Sequence, residues 1–160
     1  MKKLKNTTAL FVILVLAIAN APLFSQNVLE KEITGYWFTP EKDCIAEIYL
    51  ENDRLYGKLE WFKVEVDENG DPIKDEKNPN EKLRNKPLLK KVFLINFKRT
   101  EKPEKWKGGK IYNPNDGRSY KGEITHEGND TLIVRGYIGI SLLGKNSIWT
   151  RVPEQFFTKK

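Results

Sequence analysis

The sequence is poor in the residues on which metal centres and crosslinked folds depend. Its 160 residues include one cysteine and one histidine. A single cysteine excludes an internal disulfide framework and every metal site that needs several cysteines. Glycine and proline, at 11 and 8 residues, are too few for a collagen-like or low-complexity chain. The aromatic content of 11% excludes a disordered tail. These features leave one globular domain.

The only long apolar run of the sequence lies near its N-terminus. Three lysines precede the run Ala9–Ala19, and small and polar residues follow it as far as Gln26. This order is that of a secretory signal peptide. The run is shorter than the about 20 residues of a membrane-spanning helix, so a permanent anchor is the weaker alternative. The sequence predicts a signal peptide at 1–26 and a mature domain at 27–160, exported to the periplasm or secreted, with no membrane span after cleavage.

The positive charge of the chain belongs in part to this export signal. The formal net charge is +6, and removal of residues 1–26 takes away three lysines and no acidic residue, which leaves +3. The remaining lysines alternate with acidic residues, as in Lys74-Asp75-Glu76-Lys77. Such mixing is typical of a solvated surface, whereas a nucleic-acid groove needs a basic stripe. No nucleic-acid partner is therefore predicted.

Short β-branched or aromatic stretches recur between turn-forming clusters of Gly, Asn, Asp and Pro, which indicates an all-β meander. The candidate strands are Ile33–Thr39, Cys44–Glu51, Leu55–Val66, Lys91–Lys98, Trp106–Tyr112, Ser119–His126, Thr131–Ile138 and Ser147–Val152. About eight antiparallel strands suit a single closed up-and-down barrel, because closure removes exposed sheet edges. One connection, Asp67–Lys90, is long and charged, and a loop of that length is usually functional or mobile.

The interior of such a barrel is either filled or partly open. In the second strand, Cys44 and Ala46 share the better core face. Inward glycines (Gly57, Gly122 and Gly136) would bend a strand or leave room inside. The aromatic candidates for the interior are Trp61, Phe93, Phe97, Tyr112, Tyr120 and Trp149. Both outcomes stay open at this point, because side chains can fill an eight-stranded barrel or leave space for one small ligand.

Several segments together resemble the DUF2147 family, whose members are exported bacterial proteins and mostly uncharacterised. They are Gly35-Tyr36-Trp37, Gly57-Lys58-Leu59-Glu60-Trp61, Lys77-Asn78-Pro79-Asn80, Leu83-Arg84, Pro87-Leu88, Gly109-Lys110-Ile111-Tyr112-Asn113-Pro114, Gly117-Arg118-Ser119-Tyr120, Leu132-Ile133-Val134-Arg135-Gly136-Tyr137, Leu143-Gly144-Lys145 and Trp149-Thr150-Arg151-Val152. The match runs from Thr34 to Val152. Two positions depart from the family pattern: Asn113 replaces the usual Asp before Pro, and Lys90 replaces a common Gly. The resemblance implies a lipocalin-like β-barrel.

The same resemblance implies a structural role for two residues. Trp37 near the first strand and Arg151 near the last are similar to the Trp and Arg that stack at the closed end of lipocalins. An indole would fill the base of the barrel, and a guanidinium would cover its face through a cation–π contact. Trp37 and Arg151 are therefore predicted to form a structural barrel plug.

Five residues are predicted to bind a ligand. Arg135 and Arg84 are candidates because a planar guanidinium binds a carboxylate or phosphate through two parallel hydrogen bonds. The alternative for each is a structural contact that fixes a loop. Tyr120, Trp61 and Tyr112 are the candidates from the aromatic set.

No catalytic residue, metal or cofactor is predicted. His126 has no nucleophile and orienting acid in its sequence neighbourhood, so a surface or capping role is expected. Cys44 alternates with apolar residues and is expected to be a buried small hydrophobe. The acidic segment Asp67–Asp71 lacks the glutamate that a calcium loop would need at Asn78.

The leading hypothesis is an exported barrel that binds a small amphipathic or apolar ligand at an open end gated by the loop Asp67–Lys90. A protein-interaction module of the cell envelope, using that loop or an exposed strand face, is the first alternative. An enzyme of unknown chemistry is the least favoured alternative.

Overall fold

A computed structural model describes residues 32–128 and 130–157, so the predicted signal peptide lies outside the described residues. The eight strands are β1 (Gly35–Phe38), β2 (Cys44–Glu51), β3 (Arg54–Phe62), β4 (Val92–Arg99), β5 (Lys105–Asn113), β6 (Arg118–His126), β7 (Thr131–Tyr137) and β8 (Lys145–Arg151). Short 3-10 helices lie at Glu81–Leu83, Ser141–Leu143 and Glu154–Phe156.

The strands form one closed antiparallel barrel in which each pairs with its neighbours in the chain. The barrel closes where β1 meets β8, with Trp37 opposite Arg151 and Phe38 opposite Thr150. This arrangement confirms the predicted all-β up-and-down barrel with one long loop. Pairing with all neighbours leaves no open sheet edge, which explains how the domain holds together without a disulfide.

Three predicted strand bounds are wrong by two or more residues, and several others by one residue. The first strand starts at Gly35, because Ile33 lies in a helical turn whose carbonyl accepts a hydrogen bond from the Trp37 indole. The third strand ends at Phe62 rather than Val66, where the long loop leaves the barrel. The last strand starts at Lys145, two residues before the predicted start.

The connections of the barrel alternate between its two ends. The β2–β3, β4–β5 and β6–β7 connections lie at one end, together with the residues that enter β1 and follow β8. We call this the closed end. The β1–β2, β5–β6 and β7–β8 connections and the long β3–β4 loop lie at the other end, which we call the mouth.

Phe97 fills the middle of the barrel, and two glycines make room for it. Phe97 is fully buried, and a β-carbon at Gly109 or Gly122 would overlap its ring. Leu94 occupies the corresponding space beside Gly57. Glycines at these three positions therefore accommodate large neighbouring side chains. Of the two outcomes left open by the sequence, this part of the barrel interior is filled.

The second strand contributes to two layers. Cys44, Ala46 and Ile48 belong to the core, as the alternation predicts. Ile45 is also fully buried, although it lies outside that core cluster. Its strand partner Trp61 packs against the C-terminal segment, which thus covers the outer face of the barrel here.

Trp37 and Arg151 lie together at the closed end. The Trp37 side chain is fully buried, and its Nε1 donates to the Ile33 carbonyl at 2.9 Å. The Arg151 guanidinium lies 4.1 Å from the centre of the indole ring. It also donates to the Thr34 carbonyl at 3.0 Å and to the Asp130 carboxylate at 2.8 Å. Arg151 thus links the segment before β1 and the β6–β7 connection to the Trp37 ring that fills the base.

His126 is buried beside this plug, so the expected surface position is wrong. Its ring centre lies 6.1 Å from that of Trp37, because β6 ends within the closed end. Burial lowers the pKa of the imidazole below its ordinary value, although the Glu32 carboxylate, 3.8 Å from Nδ1, acts in the opposite direction. Folding therefore favours the neutral form of His126.

Mild acid is expected to destabilise the fold through His126. The unfolded chain protonates this histidine near about pH 6.5, and the folded chain only at lower pH. The stabilisation is therefore complete above the unfolded pKa and is lost as the pH falls through the folded pKa. Urea unfolding at about pH 7.5 and about pH 5.5 should show a larger loss of stability in the wild type than in His126→Gln. Equal losses in the two proteins would contradict this account.

Candidate functional site

A pocket of about 690 Å³ opens at the mouth, between β5–β6 on one side and β7–β8 on the other. It is lined by Ile111, Asn113, Asp116, Tyr120, Val134, Gly136, Tyr137, Ile138, Leu143, Lys145, Asn146, Ser147 and Trp149. The volume lies within the range of sites that bind small molecules. The barrel is thus filled in its middle and open at its mouth.

The inner wall of the pocket is apolar. Val134 and Trp149 are buried, and Ile111 packs against the core. The Trp149 ring stacks on Phe93 with 6.0 Å between ring centres, and its Nε1 donates to Ser147 Oγ at 2.8 Å. The indole is therefore fixed in position, with its polar edge satisfied by the protein.

Gly136 leaves part of this wall without a side chain. A β-carbon there would lie 3.7 Å from Ile111 Cδ1 and 3.8 Å from Tyr120 Cβ, both ordinary contact distances. Unlike Gly109 and Gly122, this glycine accommodates no neighbouring ring. The space in front of it belongs to the pocket.

The rim carries polar groups of both signs. The Tyr120 hydroxyl donates to Asp116 Oδ2 at 2.5 Å, and this hydrogen bond raises the pKa of Tyr120 and lowers that of Asp116. Asp116 also accepts from the Arg118 backbone N–H at 2.9 Å. Lys145 lies on the opposite rim, and among the described residues it makes no ion pair.

The structure places the predicted aromatic residues in three different environments. Tyr120 lines the pocket. Tyr112 lies on the other face of β5, buried, with its hydroxyl donating to Asp75. Trp61 packs against Phe156, with 5.3 Å between ring centres. The three side chains do not share one site.

The two predicted arginines each hold a loop. Arg135 donates to the Ser141 carbonyl through Nε at 2.8 Å and Nη2 at 2.6 Å, and to Asn146 Oδ1 at 2.5 Å. It therefore fixes the β7–β8 connection. Arg84 donates to the Asn78 carbonyl at 2.9 Å within the long loop. Both contacts correspond to the structural alternative stated for these residues, and neither side chain lines the pocket.

The long loop is anchored by a buried carboxylate. Asp75 is 1% exposed and accepts from Lys91 Nζ at 2.7 Å, Tyr112 Oη at 2.6 Å and Asn78 Nδ2 at 2.5 Å. Burial alone would raise the pKa of this carboxyl, but the hydrogen bonds outweigh burial and the pKa is below its ordinary value. The pocket wall contains no residue of Asp67–Lys90, although Lys77 Nζ donates to the Asn115 carbonyl in the β5–β6 turn, which borders the pocket. The gating role expected for this loop stays a prediction.

The family model for uncharacterized proteins conserved in bacteria, DUF2147, matches residues 35–151. The chain belongs to the DUF2147 family. This confirms the predicted family resemblance.

The barrel of this DUF2147 protein is similar to a solved lipocalin structure. That structure is of protein HP1028 from the human pathogen Helicobacter pylori, which belongs to the lipocalin family. The two chains are 28% identical with a TM-score of 0.67, and the match covers 79% of this chain and 86% of that chain. No curated protein matches the chain. The barrel is therefore lipocalin-like, and neither finding supports an envelope protein partner.

The rim residues of this DUF2147 domain escaped prediction because they lie in or beside a turn, or outside the predicted bounds of their strand. Asn113 and Asp116 belong to a Pro-Gly turn whose sequence predicts only a change of direction. Lys145 and Asn146 lie in the part of β8 that precedes its predicted start. Alternation along the full strand would have placed Lys145 on the same face as Trp149.

Three further properties of the described residues concern metal-binding clusters, the Cys44 thiol and the length of the helices. Within residues 32–128 and 130–157, no group of three or more His, Cys, Asp and Glu side chains could hold a metal ion. Burial raises the pKa of the Cys44 thiol to about 12, with Asp43 adding to the effect, so the thiol stays protonated. In the same residues, none of the helices is both long and apolar enough to cross a membrane.

Proposed function

We propose that this DUF2147 protein is an exported binding barrel that holds one small amphipathic molecule in its mouth pocket. The observation that carries the proposal is the pocket of about 690 Å³, with an apolar wall and a polar rim. Most small-molecule sites combine these two features. The signal-peptide pattern at 1–26 supports export, and the lipocalin-like relative supports a binding barrel.

The apolar part of the ligand lies against the inner wall. Ile111, Val134 and Trp149 form the inner apolar wall. Most of the exposed aliphatic surface of the pocket comes from Ile138 and Leu143 nearer its entrance. Removing apolar surface from water contributes about 25 cal/mol per Å². A short apolar group is favoured, because the buried Phe97 ring lies beside Ile111 and limits the depth of the pocket.

The polar end of the ligand faces the rim, where the charges favour an anion. The Asp116 carboxylate is engaged by the Tyr120 hydroxyl and a backbone N–H. Lys145 is exposed and makes no ion pair in the described part of the chain. A carboxylate, sulfonate or phosphate head would pair with its ammonium group while the apolar body fills the pocket.

Native mass spectrometry of the mature protein, purified from the exporting host, tests the proposal directly. A co-purified mass of a few hundred daltons that organic solvent removes is the expected result. Protein that carries no such mass and also fails to bind an amphipathic anion would contradict the proposal.

Filling the pocket from Gly136 is expected to abolish binding without harming the fold. The Gly136→Leu side chain would start from ordinary contacts with Ile111 and Tyr120 and extend into the pocket. The probe is anilinonaphthalene sulfonate, which has an apolar body and an anionic head. Its affinity should fall by at least about tenfold, since the variant removes the space the rings need. Fluorescence titration measures the affinity, and thermal melting measures the fold.

Thr150→Leu is the control, because it places the same leucine side chain on the outer face of β8, away from the pocket. Its affinity for the probe should equal that of the wild type. An unchanged affinity in Gly136→Leu would place the probe elsewhere and refute the pocket as the binding site.

A further inference from the structure

The β7–β8 connection carries a group of exposed aliphatic side chains at the mouth. Ile138, Ile140, Leu142 and Leu143 are 67%, 60%, 83% and 76% exposed. We call residues 138–143 the apolar tip. Soluble monomers rarely expose adjacent apolar side chains unless a partner covers them.

The apolar tip is held in place by the protein. The Arg135 guanidinium donates to the carbonyls of Ser141 and Leu142, and Leu143 N–H donates to the Ile140 carbonyl at 3.2 Å. Gly144 N–H donates to the Ser141 carbonyl at 3.0 Å. Because hydrogen bonds satisfy the backbone of the turn, the aliphatic side chains project into solvent from a fixed support.

The apolar tip is continuous with the pocket. Ile138 and Leu143 both line the pocket and are both exposed. Apolar surface therefore runs from Trp149 inside the barrel, past these two side chains, to Leu142 at the extreme of the tip. Whatever covers the tip also lies at the pocket entrance.

The exposed charges beside the tip that lack an acidic partner in the described residues are lysines. Lys145 follows the tip in the chain and is exposed. The nearby carboxylates are engaged, that of Glu123 by Lys105 and that of Asp116 by the Tyr120 hydroxyl. Lys121 is exposed and pairs with Tyr137 at the base of the tip. Aliphatic side chains flanked by basic ones suit an anionic lipid surface. A protein partner would more often require aromatic anchors, and residues 138–143 contain none.

We propose that the apolar tip inserts into the headgroup region of an anionic phospholipid bilayer and so docks the mouth of the barrel on a membrane. The aliphatic side chains enter the boundary between headgroups and acyl chains, and Lys121 and Lys145 contact the phosphates. Docking by itself does not depend on the proposed ligand. Transfer of a ligand between pocket and lipid, which docking would permit, rests on the proposed function.

Flotation with vesicles of phosphatidylethanolamine and phosphatidylglycerol tests the docking. The wild type should float with these vesicles, and added salt or neutral phosphatidylcholine vesicles should weaken the association. The double variant Ile140→Asp, Leu142→Asp should lower the partition coefficient by at least about tenfold, because both side chains lose their apolar burial. Ile148→Asp is the matched control, since Ile148 is 57% exposed on the outer face of β8. It should float like the wild type.

Two outcomes would overturn the proposal. The first is that the wild type does not float, or that the double variant floats equally well. The second is a wild-type dimer, seen by light scattering, that the double variant converts to monomer, because a second copy would then cover the tip.

Docking and ligand binding are separable in the same set of variants. The double variant should keep its affinity for anilinonaphthalene sulfonate in solution, because it leaves Ile138 and Leu143 in place. Gly136→Leu should lose that affinity and still float with the vesicles. If neither the wild type nor any variant binds the probe, the proposed function is refuted and the docking is not. If the wild type binds the probe but does not float with the vesicles, the docking is refuted and the proposed function is not.

Discussion

Replacing Trp37 by alanine is expected to lower the free energy of unfolding by about 3–5 kcal/mol. The indole is fully buried at the closed end, where it contacts His126 and lies beneath the Arg151 guanidinium. Its removal leaves a cavity that the stiff, closed strands cannot collapse. It also leaves the Ile33 carbonyl without the hydrogen bond from Nε1.

Urea unfolding followed by far-ultraviolet circular dichroism measures this loss, and Trp61→Ala is the matched control. Trp61 is half-buried on the outer face, where it packs on Phe156. Its truncation exposes existing surface to water and creates no enclosed cavity, so the loss should be about 1–2 kcal/mol. Equal losses in the two variants would show that Trp37 does not act as a plug.

Replacing Asp75 by alanine is expected to cost about 3–5 kcal/mol, the usual consequence of removing one partner of a buried ion pair. The carboxylate accepts hydrogen bonds from Lys91, Tyr112 and Asn78, and all three donors lose their acceptor together. The long loop should then detach from β5. Hydrogen exchange at the backbone N–H groups of Asn78 and Leu88, which bond within the loop, should accelerate.

Asp71→Ala is the matched control in the same loop. Its carboxylate pairs with Lys74 at 2.8 Å, but the Asp71 side chain is 58% exposed. Exposed pairs contribute about 0–1 kcal/mol, so this variant should stay close to the wild type. Comparable losses in Asp71→Ala and Asp75→Ala would contradict the anchoring role of Asp75.

The pH dependence of the Asp75→Ala effect follows from the direction of the Asp75 pKa. The folded-state pKa of the carboxyl is depressed, so its stabilisation is complete above the unfolded value near about pH 4 and is lost as the pH falls through the folded value. The difference between wild type and Asp75→Ala should therefore be constant near neutral pH and shrink below about pH 4. A difference that persists in strong acid would point to packing rather than charge.

The barrel could be predicted from sequence because its signals are local. The bounds of β2 follow from alternation between Cys44 and Glu51, and the turns follow from Gly, Asn and Asp residues. The anchoring role of Asp75 could not be predicted, because the carboxylate lies in a mixed-charge run and its burial depends on Tyr112, 37 residues further along the chain. No residue near Asp75 in the sequence indicates that contact.

Only part of the pocket could be predicted from the sequence. Tyr120 was a candidate through its aromatic character, and the structure places it in the pocket wall. Arg135 was a candidate through its chemistry, yet its guanidinium binds backbone carbonyls of the following turn. Alternation along a strand predicts the face of the sheet on which a residue such as Arg135 lies. It does not predict the path of the following connection, which decides which groups lie close to that residue.

The closed base and the Phe97 ring together make the cavity a cup with one opening. A molecule in such a cup leaves by the route through which its successor enters. Exchange is then dissociative: an incoming molecule cannot push out the occupant from behind, and its concentration does not set the rate of release. For the ligand that we propose, the residence time would then depend on its contacts with the pocket and the rim, and not on the concentration of free ligand.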